Sequence, residues 1–374
     1  PACVPTTEIC DNIDNDCDSL IDEGEVCSQT VYFTYGSTSL IIDSISAETY
    51  IKSLSVRSNS IDFAQTPLWE IVVRGEAGQK ITLKPSDFSV RAVDFQSDGF
   101  SIAWSTQSVI EGDISVVVIA RISGDTVSFD IDVDNALPTH SLYLVDFPRT
   151  AIKPIGNPAK NIIHRPFLSG TLEFEPQDMP ETISESPSWT QSMQYFSLYN
   201  PDESGQFYFQ TNDAQGYRKD FYIEGLGTST LAKIINYPEN NIVIGNDYNA
   251  PYQFLISVIP GNWYDAAKRY KTWALEQSWV SAGKIESRQD IPQFFKNAKL
   301  LVTLSVQDVN FNNFDLYTEE GNKIKNYLQT SNNEIIFRWY HWHNNIFDMN
   351  LPDYLPSRST FLQALAAAQA NGQY

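Results

Sequence analysis

The stretch Val127-Ser-Phe129-Asp130-Ile131-Asp132-Val133-Asp134 alternates apolar and polar side chains without a break. Successive side chains of a β-strand point to opposite faces, so Val127, Phe129, Ile131 and Val133 share one face and the three aspartates the other. This is a strand with one face in a core, and the aspartate row reads as its solvent side. The same reading extends outward to 68–73, 114–122, 141–145, 206–210, 221–224 and 253–258, with Asn, Asp, Gly and Pro between them. No helical period interrupts residues 28–260. Many short strands without helices between them predict stacked antiparallel sheets.

The pattern changes at Gly261. Asn262 is a helix-capping residue, and Asp265 stands three positions later, where the helix dipole favours a carboxylate. Trp263, Ala266, Ala267, Tyr270, Trp273 and Ala274 then recur at helical spacing. A polar linker follows, so 261–290 reads as helix and linker. From 291 to 374 the elements alternate: strand 298–306, helix 318–328, strand 334–342, and helix 360–370 with Gly372 just past its end. Strand–helix alternation predicts parallel βα units. A closed eight-unit barrel needs about 250 residues, so 291–374 is expected to be the beginning of one.

Charge narrows the partners. The chain carries 25 Lys and Arg against 46 Asp and Glu, a net −21, and such a surface repels nucleic-acid backbones. No apolar run approaches the roughly 20 residues of a membrane span. Cys3, Cys10, Cys17 and Cys27 are the only cysteines, all within an acidic segment, 1–27, that has no Lys or Arg. A cysteine-dense cap on a cysteine-free body predicts two local disulfides and an extracellular or cell-surface location. The three pairings are equally open.

Within that cap, Asp14, Asp16, Asp18, Asp22 and Glu25 fall at positions 1, 3, 5, 9 and 12 of a twelve-residue loop. Leu20 sits at position 7, where a backbone carbonyl serves. This spacing points to Ca²⁺, a cation that takes six to eight oxygens. Without one, the carboxylates would repel one another. Ser19 stands where an EF-hand has glycine, and Cys17 lies inside the loop. Both departures fit a second pattern. Cys10-Asp-Asn-Ile-Asp14-Asn-Asp16-Cys17-Asp18-Ser-Leu-Ile-Asp22-Glu23 resembles the metal-binding repeat of extracellular bacterial proteins, the MopE type. The cap is expected to use calcium structurally, since 27 residues cannot build a core.

The body carries a further resemblance. Leu68-Trp69-Glu-Ile, Val145-Asp-Phe147-Pro148, Ser192-Met-Gln-Tyr-Phe196-Ser-Leu-Tyr199 and Gly261-Asn-Trp263-Tyr264-Asp265-Ala-Ala267 occur in the same order in glycoside hydrolase-like proteins of the DUF6259 type. So does Trp342-His-Asn-Asn-Ile-Phe-Asp348-Met-Asn-Leu-Pro352-Asp353-Tyr354-Leu-Pro356. The resemblance implies a mainly β fold with an α/β C-terminal part: a large antiparallel supersandwich of the galactose-mutarotase kind, then the first βα units of a (β/α)8 barrel. It also implies that the catalytic carboxyl pair of such an enzyme lies beyond Tyr374.

Barrel enzymes bind substrate at the C-terminal ends of their strands. Trp339, His341, Trp342, His343, Asp348 and Asp353 gather there, and aromatic faces with carboxylates and imidazoles are the groups that bind sugars. Trp339 and His341 equally suit the packed interior of a barrel, and Asp353 a turn. Two functions compete. One is a secreted glycoside hydrolase that acts on or binds a glycan. The other is a non-catalytic surface or filament subunit whose calcium cap serves self-association.

Overall fold

The computed structural model describes residues 30–43, 49–188, 190–304, 315–329, 334–339, 342–344 and 352–373. The cap ligands Asp14, Asp16, Asp18, Leu20, Asp22 and Glu25, and the four cysteines, lie outside them. The chain divides between Ser278 and Trp279 into two compact units.

The first unit holds two antiparallel sheets of ten described strands each. One runs in the order Thr30–Tyr35, Thr38–Asp43, Tyr50–Val56, Asn59–Ala64, His140–Ile152, Thr230–Asn236, Lys219–Gly225, Thr182–Ser186. Its hub is the 13-residue strand His140–Ile152. The first half of that strand pairs with Glu70–Gly75, which carries Lys80–Leu83, and Ala151 and Ile152 pair with Ala64 and Phe63. On its opposite edge the strand pairs with Thr230–Asn236, with a register shift between Asp146 and Arg149. The other sheet runs Thr171–Phe174, Ile162–Arg165, Tyr195–Tyr199, Gly205–Thr211, Phe254–Pro260, Thr126–Ala136, Asp113–Ser123, Gly99–Gln107, Phe88–Gln96.

Aromatic side chains join the two inner faces. Phe147 of the first sheet meets Phe129 and Phe254 of the second edge-on, with centroids 6.3 and 5.2 Å apart. Phe63 meets Phe207 at 5.6 Å, Phe221 meets Phe209 at 6.2 Å, and Trp69 meets Trp104 at 5.4 Å. Tilted and edge-on pairs set the negative face of one ring against the positive edge of another. The expected inner row is in place: Val127, Phe129, Ile131 and Val133 are all buried. The outer row differs from expectation, because Asp130 and Asp132 are half covered. Gln253 bonds Asp130, and burial raises the pKa of both carboxyls.

Helix α1 (Trp263–Ala274) closes on the outer face of the second sheet. Asn262 Oδ1 accepts from the Tyr264 N–H at 3.0 Å, while Asp265 Oδ2 accepts from the Asn262 N–H at 3.1 Å, a reciprocal cap. Ala266 and Tyr270 bury against Tyr195, Tyr208 and Ile259. This cover explains why Tyr195–Tyr199 and Gly205–Thr211 are buried on both faces. Arg269 pins the helix through paired 2.8 Å hydrogen bonds to Asp125.

Under the start of α1, His164 packs between Tyr195 and Trp263, and burial depresses its pKa from 6.5 to about 4. Its folded pKa lies below its unfolded value, so its contribution to stability is complete above pH 6.5. That contribution is lost as pH falls toward 4, up to about 3 kcal/mol. Urea unfolding between pH 7 and 4 should show this loss, and His164→Gln should flatten it; an equal slope in the variant would rule His164 out as the cause.

Candidate functional site

The second unit contains helix α2 (Gln293–Asn297), helix α3 (Asp315–Leu328) and helix α4 (Phe361–Ala370). Strand Leu300–Leu304 lies parallel to Ile335–Trp339, in register from Leu300 opposite Ile335 to Leu304 opposite Trp339. The second strand is five residues long, Ile335–Trp339, so Trp342 stands beyond it rather than within it as expected. Ile335, Phe337 and Ala364 form the buried centre, against which Val302, Ile324, Trp339, Trp342 and Phe361 pack.

Close approach of α3 to this centre depends on Gly321. A β-carbon there would stand 2.4 Å from the Phe337 ring and 2.7 Å from Gln373 Nε2. Gln373 is fully buried, and it and Asn371 both donate to Asn322 Oδ1 of α3.

At the C-terminal end of the second strand the aromatic residues converge. Phe361 is the shared partner: Trp339 meets it edge-on at 5.6 Å, and Trp342 lies over it at 5.5 Å and 34°. Trp342 also contacts Tyr354 at 6.2 Å. His343 sits between Trp342 at 5.4 Å and Tyr354 at 5.3 Å. The backbone folds back to hold this group. His343 bridges Ser357, the Arg358 N–H donates to Trp342 O at 2.9 Å, and Arg358 Nε donates to His343 O at 3.1 Å.

Of the six sugar-binding candidates, the structure thus brings Trp339, Trp342 and His343 together and places Asp353 on the exposed part of the same loop. His341 and Asp348 lie outside the described residues. His343 is 5% exposed, and its Nδ1 has no hydrogen-bond partner among the described groups. It forms part of the wall rather than an open surface. Phe361, Tyr354 and the buried Arg358 were not singled out from sequence. Phe361 reads simply as the first residue of a helix, and nothing local marks Arg358 as the clasp of the loop.

An aromatic cluster of this kind can supply recognition contacts. It offers the half-buried ring of Trp342 beside Tyr354 and an exposed carboxylate, Asp353. General acid–base hydrolysis of a glycoside needs two opposed carboxyl groups about 5–10 Å apart, and the described residues of this loop supply one.

Comparisons with known proteins agree with this architecture. Residues 248–374 match DUF6259, described as a domain of unknown function. A protein of Bacteroides thetaiotaomicron named "Putative glycoside hydrolase" is 24% identical over 322 residues, which cover 84% of this chain and 45% of that protein. "Putative glycoside hydrolase 22789" of Monosiga brevicollis is 27% identical over 177 residues, covering 42% of this chain and 14% of that one. The chain therefore spans less than half the length of either curated relative. Among solved structures, the α-N-acetylgalactosaminidase NagBb of Bifidobacterium bifidum in its GalNAc complex superposes with a TM-score of 0.64. Identity is 11%, over 92% of this chain and 57% of that one, a likeness of fold alone.

Gly321→Ala tests the packing under the cluster. Alanine normally stabilises a helix by about 1 kcal/mol over glycine. Here the crowded β-carbon should reverse the sign and destabilise the second unit by about 1–3 kcal/mol. A urea midpoint that holds or rises would show that Phe337 and Gln373 yield freely.

The match over residues 248–374 and the order of motifs along the chain agree: the chain is similar to the DUF6259 family and to proteins named putative glycoside hydrolases.

Proposed function

We propose that the chain is the sandwich and the opening of a (β/α)8 barrel from a secreted, glycan-acting hydrolase. The observation that carries this is the aromatic–histidine cluster at the C-terminal end of a parallel strand, the place where barrel enzymes bind substrate. Support also comes from relatives named as hydrolases and from the galactosaminidase-like fold. In this reading Trp342 and Tyr354 form one wall of a sugar subsite, backed by the buried His343, with Asp353 toward hydroxyl groups. His341 and Asp348 are assigned to sugar binding as well, on their place in the sequence alone. The catalytic carboxyl pair is assigned to later barrel strands.

The natural protein should have an intact mass above 42.3 kDa and release aryl alcohol from at least one α- or β-linked aryl glycoside of galactose, N-acetylgalactosamine or glucose. Trp342→Ala should raise KM about tenfold or more, equivalent to roughly 1.4 kcal/mol of lost binding. A folded natural protein inactive on every glycoside in the panel would refute the hydrolase reading.

The same proposal gives the cap a structural Ca²⁺, held by the carboxylates of Asp14, Asp16, Asp18, Asp22 and Glu25 and the Leu20 carbonyl, with Cys3, Cys10, Cys17 and Cys27 in two disulfides. The support is the oxygen-rich donor set at regular spacing. Calorimetric titration should find one Ca²⁺ site, abolished by EDTA and by Glu25→Gln together with Asp14→Asn; an absence of binding heat and of any calcium-dependent shift in Tm would remove the metal.

A further inference from the structure

Within the sandwich unit, Tyr217, Arg218, Tyr237, Asp247, Tyr248 and Tyr252 line a cavity of about 290 Å³. That is close to the roughly 300 Å³ at which small-ligand sites begin. Tyrosine rings and planar polar groups in one concave site form a surface for a ligand with both an apolar face and hydroxyl edges.

The site is rigid. Tyr252 is buried, and its hydroxyl donates to Asn236 Oδ1 at 2.6 Å. Asn236 in turn donates to the carbonyls of Val145 and Phe147, in the hub strand of the first sheet. The Tyr237 hydroxyl donates to Asp220 Oδ2 at 2.6 Å. Tyr217 faces Tyr252 with ring centroids 6.2 Å apart and 34° between planes. Beneath them lies an ion pair with no solvent exposure on either side: Lys219 Nζ is 2.5 Å from Asp213 Oδ2. Lys219 also donates to Tyr217 O at 2.9 Å. Asp213 Oδ1 accepts from the N–H groups of Gln215 and Gly216. Burying two charges is costly unless every donor and acceptor is matched, and here the matching fixes the loop that carries Tyr217. A wall already ordered loses little entropy when a ligand arrives.

Charge selects the ligand. Four tyrosines beside Asp247 and Glu239 resemble an aromatic cage for a quaternary ammonium ion. Yet two of those rings already hold cations of the protein itself. The Arg218 guanidinium lies 4.4 Å from the Tyr237 centroid, and the Lys219 ammonium 4.5 Å from that of Tyr252. Each of these cations has its own carboxylate partner, Glu185 for Arg218 and Asp213 for Lys219, so the two ring faces are already taken and a third cation finds neither of them open. An anionic ligand would meet Glu239, Asp247 and the −21 of the chain. A neutral polyol ring avoids both penalties. Asp247 engages the Asn135 N–H through Oδ1 at 2.8 Å, which leaves its second oxygen to accept from a hydroxyl.

We infer that this tyrosine-lined pocket is a binding site of the sandwich for one neutral hexopyranose unit. The choice of a sugar rests on the function proposed above; the cavity and its charge selection do not.

Saturation-transfer NMR on the whole chain, with galactose, N-acetylgalactosamine, glucose, mannose and choline as probes, tests this. At least one neutral sugar should give a saturable millimolar response, and choline none. Tyr217→Ala should weaken that response about tenfold, while Tyr217→Phe, which keeps the ring, should hold it within about threefold. Trp342→Ala should leave the Tyr217-dependent part of the response unchanged. A response from choline alone, or from none of the five probes, overturns the inference. So does a sugar response that survives Tyr217→Ala but is lost in Trp342→Ala, an outcome that leaves the proposed function standing. A Tyr217-dependent response in a natural protein that hydrolyses no glycoside would do the reverse.

Discussion

The fold depends on one seam, the line of aromatic contacts between the two ten-stranded sheets. Phe147, Phe63, Phe221 and Trp69 each reach across to a ring on the facing sheet. Large rings bury more apolar area per residue than any other side chain, and their tilted packing fixes the sheets in translation as well as separation. Once that registry is set, the hub strand His140–Ile152 can serve two neighbours along one edge, and α1 finds a flat outer face on which to lie.

Much of this was legible because a sheet with one buried face writes its geometry as strict alternation. Thr126–Ala136 shows it best, and its inner residues are those read from the sequence. Alternation fails as a guide where something covers the outer face. Asp130 and Asp132 are half covered although they read as solvent-facing. Helix α1 was visible through its cap and period, but its docking on Tyr195 and Tyr208 was not, because nothing in a helix's own sequence names the face that receives it.

The two candidate sites differ in the same way. Trp339, Trp342 and His343 cluster within five positions, so their convergence could be read directly. Phe361, which both tryptophans touch, and Arg358, which clasps the loop, become meaningful only when the chain folds back. The tyrosine pocket is less legible still. Tyr217 and Tyr252 stand 35 positions apart, and their approach is set by a lysine and an aspartate that a sequence reading assigns to the surface. Two buried, mutually satisfied charges there act as a positioning device, not as a source of net stability.

The hub strand also shapes how the chain reaches this state. Thr126–Ala136 and Asp113–Ser123 pair across a tight turn and can zip as they emerge. His140–Ile152 must instead recruit Asn59–Ala64 and Glu70–Gly75 from far upstream and Thr230–Asn236 from far downstream. Loop closure over such distances must be accomplished before the pairing returns any stabilisation, and sheets built this way assemble slowly. Until Thr230–Asn236 has been made, the middle of that strand keeps an unpaired edge, and the nascent sandwich is most vulnerable to intermolecular pairing during that interval.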